Sequence, residues 1–140
     1  MKYLFLDFDG VVNRTDTVQQ PSLFDRVEPA MVTLLNDIDA QIVISSAWRE
    51  HNSLADLKQI LHYNGLRDPS RIIDTTPVFG GARGDEIQAW MTANDVTASQ
   101  IVILDDLDDM AHLLPRLVQT DAAHGLQPSH VVRINALLAA

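Results

Sequence analysis

The chain reads as an α/β fold, a mostly parallel sheet with helices on both faces, on three observations. Short β-rich runs recur at Tyr3–Leu6, Gln41–Ser45, Arg71–Asp74 and Ile101–Leu104. Most are too continuously apolar for half-exposed strands, which is the pattern of parallel strands covered on both sides. Stretches with helical spacing, capping residues and helix-starting prolines alternate with these runs, as successive β-α units require. The apolar strands also run directly into Asp7 and Asp9, Ser45 and Ser46, and Asp105 and Asp106. Open sheets of this kind bind ligands at the carboxyl ends of their strands.

In chain order, the first strand continues apolar through Phe8, Val11 and Val12 and breaks at Asp9-Gly10. Residues Asn13 to Val27 are polar, carry Pro21 and show no sustained period, so they read as a long loop or flap beside that strand's carboxyl end. Pro29 is placed to open helix one, whose face is Val32, Leu34, Leu35 and Ile38 and whose end falls near Asp39. After the second strand, Asn52 or Ser53 caps a helix carrying Leu54, Leu57, Ile60 and Leu61, with Gly65 as its stop. The third strand precedes a loop at Gly80–Gly84 and a helix over Asp85–Asn94 with Ile87, Trp90 and Met91 on one side. Leu117–Gln119 is a short fifth strand, and Pro128 opens a last helix through Val131, Val132, Ile134 and Leu138. There is no internal repeat and no linker, so residues 1–140 read as one domain.

Composition excludes several classes. The 140 residues are 46% apolar and 21% charged with 6 Gly and 6 Pro, a globular balance rather than a disordered or fibrous one. Acidic residues number 19 against 10 Lys plus Arg, a net charge of −9, which excludes an extended basic surface for nucleic acid. Without cysteine there is no disulfide framework, thiolate zinc site or thiol nucleophile. Asp7 and Asp9 interrupt the apolar amino terminus short of a signal-peptide core. No apolar run approaches the roughly 20 residues that span a bilayer. The expectation is a cytoplasmic protein with no membrane contact.

The strand-end residues carry the chemistry. Asp7 lies between Leu6 and Phe8 in a run that should be buried, where an unpaired carboxylate costs several kcal/mol by order of magnitude. Carboxylates converging from the first and fourth strands would repel one another without a cation, and all-oxygen ligation suits Mg²⁺. Residues two apart in a strand share a face, so Asp7 can act as nucleophile on a group that Asp9 serves as proton donor and base. Gly10 lets the backbone turn away closely. The five histidines show no zinc spacing, and Gly80-Gly81-Ala82-Arg83-Gly84 lacks the Gly-Lys-Ser/Thr of a phosphate loop. Asp108 and Asp109 read as a solvated helix start, and Trp48 and Trp90 as packing residues, with Trp48 also near enough to Ser46 to line a site.

Asp7-Phe8-Asp9-Gly10-Val11-Val12, a Ser ending the second strand, a basic residue before a late helix and Ile103-Leu104-Asp105-Asp106 together resemble the haloacid dehalogenase (HAD) superfamily of phosphohydrolases. Within it the chain is most similar to the small domain of RNA-repair proteins, through Ser45-Ser46-Ala47-Trp48-Arg49, Arg83-Gly84-Asp85-Glu86-Ile87 with Trp90, and Gly125-Leu126 before a helix. The resemblance implies a Rossmann-like three-layer sandwich of sheet order 3-2-1-4-5 and an Mg²⁺-dependent phosphatase working through an aspartyl phosphate. Asp7 would be the nucleophile and Asp9 the acid/base, with Asp7, the Asp9 carbonyl, Asp105 and Asp106 around the metal. Ser46, slightly ahead of Ser45, would bind the phosphoryl group beside Gly10. Arg83, with Arg49 and Arg71 as rivals, would replace the family's usual Lys. Neither residues 10–45 nor the stretch from Ser46 to Arg83 has room for an inserted cap domain. An open site favours a phosphorylated substrate carried on a macromolecule, such as a nucleic-acid end, approached past Arg14, Arg26, Arg49 and Arg83. The alternatives are a non-catalytic binding or regulatory module of the same fold and, more weakly, a receiver-like signalling domain.

Overall fold

Five strands, β1 (Tyr3–Leu6), β2 (Gln41–Ile44), β3 (Ile72–Thr75), β4 (Ile101–Asp105) and β5 (Leu117–Gln119), form one all-parallel sheet of order β3-β2-β1-β4-β5. The computed structural model describes residues 1–140. Helices α1 (Pro29–Val32), α2 (Leu54–Tyr63) and α4 (Pro128–Ala139) cover one face of the sheet, and α3 (Arg83–Ala93) covers the other. The expected three-layer arrangement without a cap is what forms, and no helix is long and apolar enough to cross a membrane.

The central strands β2, β1 and β4 contribute alternate side chains to two cores, as the pleat dictates. Leu4, Leu6, Ile42, Ile44, Val102 and Leu104 join the larger core with α1, α2 and α4. Phe5, Val43, Ile101 and Ile103 meet Ile87, Trp90 and Met91 of α3 in the smaller one. Trp90 is a packing residue, edge-on to both Tyr3 and Phe5 at 5.4 Å between ring centroids, with its indole N–H donated to Asp74.

The ladder continues one residue beyond the strands, with Ser45 N–H donating to Leu6, Asp7 N–H to Leu104 and Thr76 N–H to Ile44, each at 3.0 Å. Thr76, Ser45, Asp7 and Asp105 therefore stand side by side in one row at the carboxyl edge. Two residues on from Phe5, Val43 and Ile103, this row falls on the face that α3 covers.

Two elements differ from their sequence reading. Helix one keeps only a single α turn, Pro29–Val32, and tightens to a 3₁₀ turn over Thr33–Asp37. Thr33 Oγ1 donates back to the Pro29 carbonyl, and Asn36 turns outward to Gly65 and Arg67. The Arg71 guanidinium takes the carbonyls of Leu35, Ile38 and Ala40. Helix α3 begins at Arg83, two residues before the expected Asp85. Its first amides are received by the loop after β4, Arg83 N–H by the Asp109 carboxylate at 3.3 Å and Gly84 N–H by the Asp109 carbonyl at 3.0 Å. Gly84 allows this because a Cβ there would overlap the Met110 carbonyl. Asp109 thus caps α3 rather than opening a helix of its own.

Arg71 sits before β3, at the amino edge of the sheet and the far end from the Asp7 row, which removes it as a phosphate-binding candidate. Replacing it exposes three carbonyls that lose charged donors. Arg71→Ala is expected to lower stability by about 2 kcal/mol, read as a shift in the urea midpoint at constant slope.

Candidate active site

Asp7 and Asp105 are buried on neighbouring strands, 6% and 1% exposed, a separation that two bare carboxylates do not tolerate. One cation answers both. Arg83 Nη1, arriving from the first turn of α3, lies 3.2 Å from Asp7 Oδ1 and 3.1 Å from Asp105 Oδ2. Asp106 completes the acidic group, with one oxygen from each of Asp7, Asp105 and Asp106 within 4.8 Å of the others. The carboxylates after β1 and β4 do converge, as their positions in the sequence predict.

Burial, with the nearby Asp105 charge, pushes the Asp7 carboxyl up to about 8, and Arg83 only partly opposes it. Burial likewise raises Asp105 to about 6, against the pull of the Leu107 N–H and Arg83. Burial works against the Arg83 charge as well, but Asp7 and Asp105 outweigh it and hold the guanidinium above its ordinary value. One arginine therefore leaves the group under-neutralised.

A further cation suits the donors. They are all hard oxygens at one point. Gly10 also makes room for them: it has φ +83°, and a Cβ there would stand 2.6 Å from Asp106 Oδ2. Its conformation is pinned by Thr120 Oγ1 donating to the Gly10 carbonyl at 2.7 Å and by Gly10 N–H donating to Asn13 Oδ1 at 2.9 Å.

Asp9 is exposed and outside the three-carboxylate group. Its Oδ1 accepts from the Trp48 indole N–H at 3.1 Å and from Asn13 Nδ2 at 3.0 Å. Trp48 packs against Phe8 at 5.0 Å between ring centroids, so the residue between the two acids anchors the residue that orients the second. Sequence reading placed Trp48 near the site but not on Asp9, and it missed Asn13 and Thr120. Thr120 meets Gly10 from 110 residues away and nothing local marks it, whereas Asn13 reaches back to Asp9 and Gly10, a turn contact that its place just after Asp9-Gly10 could have suggested.

The two serines divide. Ser46 Oγ caps the following 3₁₀ turn by accepting from Trp48 N–H. Ser45 Oγ is buried, finds no partner in the chain and belongs to the Asp7 row. Thr76 Oγ1, its neighbour in that row, is also without a partner.

Arg49 is spent on structure. Its guanidinium donates to the carbonyls of Ser45, Ser46, Thr76 and Pro77 and pairs with the buried Glu86 at 2.8 Å. Glu86 in turn accepts from Phe79 N–H. Of the three arginines weighed from sequence, Arg83 alone reaches the acidic group. The histidine contacts lie away from the acidic group, such as His130 closing the cap of α4 and His112 meeting Gln88 of α3.

A buried aspartate at the end of a central strand, a second acid two residues on, a hydroxyl on the neighbouring strand and an acidic pair on the other side form a layout suited to phosphoryl chemistry. No curated protein matches the chain significantly. The family model of the HAD domain in Swiss Army Knife RNA repair proteins matches residues 3–131, which takes in all five strands and every residue of this site. The chain belongs to that family of HAD domains.

Proposed function

We propose that this protein is an Mg²⁺-dependent phosphomonoester hydrolase that works through an aspartyl phosphate on Asp7 and acts on a phosphorylated nucleic-acid end. The observation that carries the reading is the convergence of Asp7, Asp105 and Asp106 beside Arg83. Two acids held at such electrostatic cost favour a catalytic site over a non-catalytic module of the same fold. The family's occurrence in RNA repair proteins, and the absence of any domain inserted over the strand ends, support the substrate class.

In this reading Asp7 has given up its proton to solvent as a cation joins Arg83 beside it, an oxygen of the carboxylate attacks phosphorus as the bond from phosphorus to the leaving oxygen breaks, and Asp9, acting as the acid, gives its proton to that oxygen. Asp9 then takes a proton from water, which attacks the aspartyl phosphate; the phosphorus–Asp7 bond breaks and inorganic phosphate leaves. Arg83 places positive charge beside the nucleophile, with the option of two parallel hydrogen bonds to phosphate that the family's usual Lys lacks. The unspent hydroxyl of Ser45, rather than that of Ser46, is assigned to a phosphoryl oxygen. Asp7, Asp105, Asp106 and the Asp9 carbonyl would hold Mg²⁺, which when bound neutralises phosphate charge. Trp48 and Asn13 keep Asp9 on the leaving-group side.

Three outcomes follow. Purified protein with Mg²⁺ should release phosphate from phosphorylated oligonucleotides in a monoester panel, and Asp7→Asn should lower kcat by at least about a thousandfold. Absence of release from the whole panel would reject the reading.

Asp7→Asn should also raise the stability of the metal-free protein, by about 1–3 kcal/mol at pH 8, because it removes a buried charge. The folded state holds the Asp7 proton up to about pH 8, whereas the unfolded chain releases it near 4. The Asp7 contribution is thus full at low pH and lost as pH rises through 8. Melting curves across pH 4–9 should fall for wild type and stay flatter for the variant, and Mg²⁺ should narrow the gap.

Trp48→Phe keeps the ring on Phe8 but removes the N–H from Asp9. It should lower kcat about tenfold and steepen the dependence on leaving-group pKa, while KM changes little.

A further inference from the structure

We propose that the cleft beside Trp48 is the leaving-group subsite, that it takes the nucleoside carrying the phosphate, and that Arg26 receives the next phosphate along the strand. This rests on the phosphatase reading. In-line attack by Asp7 drives the leaving oxygen to the side opposite the nucleophile, and Asp9 must reach that oxygen to protonate it. The body of the substrate therefore lies next to Asp9. Asp9 has two side-chain partners, Trp48 and Asn13, and both lead to one place.

Trp48 lines a cleft of about 260 Å³ with Leu23, Arg26, Ala47, His51 and Asn52. That is just below the roughly 300 Å³ at which drug-sized pockets begin, and is room for one base and its sugar. The half-buried indole offers a stacking surface, and stacking tolerates any base. Asn13 Nδ2, which bonds Asp9, also donates to the Arg26 carbonyl at 2.8 Å, so the flap residue that carries the cation is tied directly to the acid.

Charge singles out Arg26. Of the four arginines that could flank the approach, Arg14 pairs with Glu28, Arg49 with Glu86, and Arg83 with Asp7 and Asp105. Arg26 has no ion pair, and its one side-chain bond, from Nε to the Gln20 carbonyl, leaves both Nη groups available. In a chain of net charge −9, an unpaired guanidinium beside an indole offers a nucleotide both of its contacts, a cation for the phosphate and a stacking face for the base, where an acidic peptide would use only the first. The larger cavity of about 480 Å³ between Lys2, Asp39 and Arg71 lies at the opposite edge of the sheet, and its arginine is already bonded to carbonyls.

The test compares wild type with Arg26→Ala and with Ala47→Trp, which fills the cleft without removing a polar contact. The substrates are acetyl phosphate and ribo- and deoxyribo-dinucleotides bearing a terminal phosphate. Both variants should cut the preference in kcat/KM for dinucleotide over acetyl phosphate by about tenfold. The difference between the two sugars reports which nucleic acid the cleft favours. In parallel, anisotropy of labelled phosphorylated oligonucleotides on the full-length Asp7→Asn protein and its two double variants, at one fixed salt concentration, should show a matching loss of affinity. A preference that does not move while acetyl phosphate is hydrolysed overturns the subsite and leaves the phosphatase standing. If neither phosphate compound is hydrolysed, the phosphatase reading fails and the anisotropy decides the cleft alone: lost affinity in both variants supports it, and unchanged affinity overturns it.

Discussion

Two carboxylates placed at the ends of adjacent buried strands can stay ionised together only with positive charge between them, and much of this molecule is arranged to supply it. Asp7 and Asp105 follow Leu6 and Leu104, which are aligned neighbours in the sheet, so parallel register alone forces the acids together. Their burial makes the ionised forms expensive. Arg83 offsets part of that cost, and it can do so only because α3 starts where it does. The start of α3 is set by Asp109 receiving its first amides and by Gly84 lying against the Met110 carbonyl. The acidic loop after β4 thus contributes twice, through Asp105 and Asp106 in the site and through Asp109 in holding the helix that brings the compensating charge.

A second buried pair steadies the other side of the site. Arg49 and Glu86 are 3% and 8% exposed, and a pair this dry holds because nearly every donor and acceptor is used. Arg49 gathers the carbonyls of Ser45, Ser46, Thr76 and Pro77, while Glu86 holds Phe79 N–H. The ends of β2 and β3 are thereby locked to α3. That rigidity leaves the hydroxyls of Ser45 and Thr76 without partners in the row that contains Asp7. Buried polar atoms left unsatisfied in an otherwise saturated frame belong with a site that binds something polar.

Asp9 lives under different physics. Exposed and set apart from the acidic group, it is placed by two side chains, Trp48 and Asn13, whose other contacts run to Phe8, Gly10 and Arg26. The hydrogen-bonded frame around Asp9 fixes its position without burying it. It also joins the acid to the flap between β1 and α1, the one long connection in the fold.

Local rules acting on the sequence by itself determined the strands, a largely parallel sheet and the acidic residues at the strand ends, because the alternation of strand and helix, continuous apolar runs and strand termini are written in neighbouring residues, while the order of the strands came from the family resemblance. Asp7, Asp9, Asp105 and Asp106 were legible for that reason, as was a cap at Asn52 or Ser53, of which the structure uses Ser53. Tertiary structure decided everything that depends on a partner far along the chain: Arg83 rather than Arg49 or Arg71 at the acids, Ser45 rather than Ser46 with a hydroxyl to offer, Trp48 on Asp9, and the early start of α3. Three arginines look alike in a sequence. What separates them is whether carbonyls, a single carboxylate or a group of carboxylates lies within reach of the guanidinium, and that is known only once the sheet has brought distant segments together.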